Sequence, residues 1–130
     1  MKIRITTVSA LIGATLLTAV PGFSHHSNVA FEVTKVITVT GVVRDFDWVN
    51  PHTWIYLKVD DGKGGTVEWK CEGRAPGVLS RAGWTRHSVK PGDTVTIDMS
   101  PAKDGSKTSL IARVTKSDGT ILANAPPPTQ

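Results

Sequence analysis

A chain of 130 residues with a formal charge of +4 and a single cysteine has room for one domain and cannot close an internal disulfide. Lys2 and Arg4 carry two of the four net charges. What remains gives no case for nucleic-acid binding, which needs a clustered basic face.

The first residues follow the pattern of a secretory signal peptide. Lys2 and Arg4 form a basic start, Ile5 to Val20 runs without a charge, and Pro21-Gly22 breaks the run. Gly22 and Ser24 are small residues where a signal peptidase reads them, so residues 1–24 are expected to be removed. The uncharged run is sixteen residues, short of the roughly 20 that cross a bilayer. A periplasmic or secreted protein with no stable membrane span after cleavage is therefore expected. Residues 25–34, opening on His25-His26-Ser27, read as a lead-in.

A barrel domain is expected over residues 35–123. Lys35 to Val49 is rich in Val, Ile and Thr and reads as a long strand. Ile37, Val39 and Val43 share one parity; Thr38, Thr40, Arg44, Phe46 and Trp48 share the other. Gly41 in its middle predicts a bulge or strong bend, as a strand needs when it serves two sides of a small barrel. Asn50-Pro51 predicts a turn, because proline fixes φ and pushes the preceding residue out of the helical region. Thr53 to Asp60 alternates again, with Ile55, Leu57 and Val59 on one face. Asp60 to Gly65 reads as a hairpin loop, and Thr66 to Cys71 as a third strand with Val67, Trp69 and Cys71 on one face.

Ala75 to Ala82 breaks the β pattern. Pro76 suits a first helical turn, Val78, Leu79 and Ala82 fall at helical spacing, and Gly83 suits the C-terminal cap. Pro91-Gly92-Asp93 is a turn before a fourth strand, Thr94 to Met99, with Val95, Ile97 and Met99 facing inward. A polar turn at 102–107 leads to a fifth strand, Ser109 to Thr115, and Ser117-Asp118-Gly119 to a short sixth, Thr120 to Leu122. Residues 124–130 hold three consecutive prolines and cannot join a sheet. The expected fold is all-β: a small OB-like barrel of five to six strands with one short helix between strands three and four.

On these residues the chain resembles a family of small exported bacterial proteins of unknown function. The likeness runs from His25 to about Leu122. It is carried by His25-His26-Ser27, Gly41-Val42-Val43, Trp48-Val49-Asn50-Pro51-His52, Trp54, Trp69 with Glu72, Leu79, Arg81 to Thr85, Lys90 to Asp93, Pro101 to Ser106 and Asp118-Gly119. Ser24 stands where members usually have alanine. The resemblance implies an exported β domain and no reaction; Cys71 and His87 lie outside its pattern.

Several residues have side chains with distinctive chemistry. If cleavage follows Ser24, the α-amine and ring of His25 form one chelate, and His26 and His52 add further nitrogens. Such a set suits copper(II). The plainer alternative is a solvated terminus and a histidine that caps its own turn. Trp48, Trp54 and Tyr56 share a parity if the turn preserves it. In OB-type barrels that region binds sugars or oligonucleotides, although large rings more often pack inward than lie exposed. Cys71 reads as a small buried hydrophobe. A copper thiolate set with His52 and Met99 lacks the usual clustering of such ligands in one late loop, and His87 reads as a surface residue. Asp45 and Asp47 are expected to face solvent. No triad, P-loop or dinucleotide fingerprint is present, and the chain reads as a non-enzyme.

The leading expectation is thus an exported metal-binding protein with copper held by His25, His26 and His52. The alternatives are a metal-free module that binds a small organic ligand, glycan or protein through Trp48, Trp54 and Tyr56, or a purely structural accessory domain.

Overall fold

The computed structural model describes residues 30–125; the expected signal peptide, His25, His26 and nearly all of the proline-rich tail lie outside them. The strands are β1 (Ile37–Asp47), β2 (Trp54–Asp60), β3 (Thr66–Glu72), β4 (Thr94–Pro101), β5 (Thr108–Lys116) and β6 (Ile121–Ala123). One short helix, α1 (Pro76–Arg81), stands between β3 and β4. The sheet order is β3-β2-β1-β4-β5-β6, and a parallel β3–β5 pairing closes the first five strands into a barrel. This is the all-β, OB-like barrel with a helix after its third strand that the sequence predicts.

β1 is long because it serves two sides. Its first half pairs with β4, from Ile37↔Met99 to Val42↔Thr94. Its second half pairs with β2, from Val42↔Lys58 to Asp47↔Trp54. Gly41 sits where the strand changes partner. A Cβ there would run into the Lys58 carbonyl oxygen and lie 2.9 Å from Leu57 Cγ, so this close approach of two strands requires glycine. The ladder is nevertheless regular at Gly41. The bulge falls three residues later, where Val43 faces Leu57 and Asp45 faces Tyr56, leaving Arg44 as the extra residue.

That bulge reverses the parity of β1. Val43 is buried, and beyond the bulge Phe46 packs against the core instead of facing away from it. A second bulge occurs in β5, where Asp98↔Arg113 is followed by Met99↔Ile111 and Ala112 is left over. Ser109 and Ile111 point inward before it and Val114 after it. The core is Val43, Ile55, Leu57, Trp69, Cys71, Leu79, Trp84, Val89, Val95, Ile97, Met99, Ile111, Val114 and Leu122.

α1 begins on Pro76, whose missing N–H costs nothing at a helix start. It ends at Arg81, and Gly83, two residues on, takes a φ of 89° that suits glycine. Its Leu79 is fully buried, and the Trp84 indole donates to the Ala123 carbonyl at 2.7 Å. These contacts hold the helix against the end of the barrel where β3 stops.

Candidate functional site

The turn between β1 and β2 holds a cis Asn50–Pro51 bond and delivers His52 to the end of β3. The β2–β3 ladder runs from Asp60↔Thr66 to Trp54↔Glu72. Beyond it, Thr53 continues the pairing: its N–H donates to the Arg74 carbonyl at 3.3 Å, and the Gly73 N–H donates to the Thr53 carbonyl at 2.8 Å. The Thr53 hydroxyl also donates to the Arg74 carbonyl, at 3.0 Å. Thr53 is 1% exposed, so these bonds are shielded from competing water.

His52 therefore lies beside Glu72, with Nδ1 and Glu72 Oε1 2.7 Å apart. The Glu72 side chain is 9% exposed and that of His52 38%. An ionised carboxylate only accepts, so Nδ1 donates the proton, and Nε2 of the neutral ring keeps its lone pair.

The same residues line a cleft of about 730 Å³. It arises because β3 leaves β5 after Glu72↔Leu110, while β6 joins β5 only from Arg113↔Ala123. The bulge at Ala112 lies in that gap. Asn124 closes one side: its Nδ2 donates to the Ile111 carbonyl at 2.6 Å, and its Oδ1 accepts from the Arg74 N–H at 3.0 Å. Pro51, Val78 and Leu110 add apolar wall.

The aromatic residues separate into two groups. Trp48 packs against the core and meets Phe46 edge-on at 5.8 Å, and Phe46 lies 6.1 Å from Trp84. Trp54 and Tyr56 are half-buried on the barrel's outer surface, with Lys70 Nζ 5.5 Å and 5.8 Å from their ring centres. Arg44 lies 4.7 Å over Tyr56 and donates from Nε to Glu68 at 2.6 Å. That bond holds the Glu68 carboxyl below its ordinary range. The Tyr56 hydroxyl donates to Asp47 at 3.1 Å, and burial followed by this bond pushes its pKa up. The bulge at Arg44 and the turn thus separate Trp48 from the other two rings.

Cys71 is fully buried, 3.8 Å from Met99 Sδ. Burial pushes its thiol up to about 11, which keeps it protonated and a poor metal ligand. His52 turns to Glu72 instead. His87 is exposed, and Asp45 accepts from the backbone of Phe46. Among the described residues no group of three or more His, Cys, Asp or Glu is placed to hold a metal ion. No helix among them is long and apolar enough to cross a membrane.

The model of a family of unknown function, DUF6152, matches residues 14–112. The chain belongs to this family. The match spans the β1–β2 turn, the His52–Glu72 pair and β5 as far as its bulge. No curated protein and no solved structure matches the chain. For this member of DUF6152, the functional reading therefore rests on its own residues.

Glu72 is not among the candidate ligands that the sequence offers. A signal for it exists. The Asp60↔Thr66 register, continued back along β2, puts Trp54 opposite Glu72 and His52 two residues further on, diagonal to it.

Proposed function

We propose that this chain is an exported, periplasmic metal-binding protein. In this reading the ion is copper(II), and His52 is the ligand that the fold holds in place. His25, through its α-amine and ring, and His26 supply the other nitrogens once the signal is cleaved after Ser24. The 2.7 Å pairing of His52 Nδ1 with Glu72 carries the reading. Metal-bound histidines commonly donate their second N–H to a carboxylate, which sets the tautomer and aims the ring. Nitrogen donors in a planar set favour copper(II).

The test is the intact mass of untagged protein recovered from the periplasm, then native mass spectrometry with one equivalent of copper(II) and glycine as competitor. The expected chain starts at His25 and retains one copper. His52→Ala should lose it. Glu72→Gln should bind roughly 10- to 100-fold more weakly. A chain that starts elsewhere, or copper surrendered to glycine, rejects the site.

A second reading is a metal-free module that uses the outer aromatic surface for a glycan or protein. It is favoured by Lys70 lying over both Trp54 and Tyr56, with Trp48 outside that surface. It predicts a tryptophan fluorescence change with an oligosaccharide that chelators do not affect and Trp54→Ala removes.

A further inference from the structure

We propose that the cleft between β3 and β6 binds a small amphipathic anion, a carboxylate with a hydrocarbon body, through Arg74. The proposal does not rest on the metal reading, although His52 and Glu72 line the same cleft. A volume of about 730 Å³ falls within the 300–1,000 Å³ typical of small-ligand sites. The backbone of the site is also built in advance. Arg74 is held at its N–H by Asn124 and at its carbonyl by Thr53, so the backbone from which its side chain leaves is fixed and a ligand has only the side chain to order.

The charges around the cleft select the ligand's sign. Glu72 is already engaged by His52 at 2.7 Å. Arg74 lines the cleft, and its guanidinium forms no ion pair among the described residues. Glu72 is buried and Arg74 is exposed, so the charge a ligand reaches first is positive, and a guanidinium fork matches a carboxylate with two parallel hydrogen bonds. Pro51, Val78 and Leu110 offer apolar surface beside it, which suits a hydrocarbon body and not a bare inorganic anion.

The experiment uses the full exported chain, labelled with ¹⁵N and titrated with octanoate, with octylamine and acetate as controls. Saturable shifts are expected at Arg74, Val78, Leu110, Ala112 and Ala123. Arg74→Gln should weaken octanoate about 10- to 100-fold, the loss of a charge-assisted hydrogen bond. It should leave copper retention and thermal unfolding unchanged, since its backbone bonds survive. Val78→Phe, which narrows the cleft, should weaken octanoate as well. Acetate should bind at least tenfold more weakly than octanoate. Octylamine binding as well as octanoate, shifts confined to other surfaces, or full octanoate affinity in Arg74→Gln would each overturn the proposal.

Discussion

The Thr53 hydroxyl and the Arg74 carbonyl oxygen lie 3.0 Å apart, and this bond joins the residue after His52 to the residue two beyond Glu72. It extends the β2–β3 ladder past its last regular pair and keeps the β1–β2 turn registered against the end of β3. Thr53→Val keeps the shape and the backbone bonds but removes the hydroxyl. The expected cost is about 1 kcal/mol, read as a lower denaturant midpoint at an unchanged slope. An unchanged midpoint would mean that the backbone bonds alone hold the turn.

Asn124 ties three segments with one amide. Asn124→Ala leaves the Ile111 carbonyl and the Arg74 N–H without this partner, at about 1–3 kcal/mol for each group left unsatisfied. Hydrogen exchange should rise first at β6 and at Gly73–Arg74, while β1 and β2 keep their protection. Uniform loss across the barrel would show that the amide supports the whole fold and not just the cleft.

Gly41→Ala should be among the most damaging single changes in the chain. The added methyl meets the Lys58 carbonyl oxygen, which is backbone held in a ladder and cannot swing aside. A loss of more than about 2 kcal/mol is expected, measured by chemical denaturation. Gly77→Ala is a suitable control, because a methyl there meets nothing within 4 Å. Equal stability of the two variants would remove the close-approach argument.

Cys71 makes stability depend on alkaline pH. Folded, its thiol keeps the proton up to about 11; the ordinary value is 9.0. Between those values the folded state binds more protons than the unfolded state, so stability falls as pH rises. The gap of about two units corresponds to a loss of about 2–3 kcal/mol by pH 11, with none below about pH 8. Denaturation of wild type and Cys71→Ala from pH 7 to 11 isolates the thiol from the tyrosine and lysines that titrate alongside it. Parallel curves would show that Cys71 does not contribute.

Much of the barrel was legible because its signals are local. Val, Ile and Thr runs separated by Gly- and Pro-bearing turns mark the strands, and Pro76 and Gly83 bracket the helix. The six strands and the helix fall within two residues of where those signals place them. The two bulges were not legible at their positions. Gly41 advertised one, but the extra residues are Arg44 and Ala112. A bulge belongs to a pair of strands, and neither strand by itself shows which residue is left unopposed.

The candidate site divides along the same line. His52 stands out in the sequence as a potential donor beside a turn. Its partner Glu72 looks like one more outward charge on an alternating strand, because the alternation says which side a residue faces and not what lies beside it. Trp48 shared a parity with Trp54 and Tyr56 on paper, and the Arg44 bulge with the turn sent it to the core.

The amino-acid sequence by itself determined the order of the elements and the apolar faces of β2, β3 and β4. These follow from backbone sterics and from period-two burial along one strand. Tertiary structure alone decided the close approach that requires glycine at 41, the His52–Glu72 pair, the cleft over Ala112 and the parting of the aromatic residues. Each depends on register between segments distant in the sequence or on a bulge, and a shift of one residue would turn every side chain beyond it to the other face.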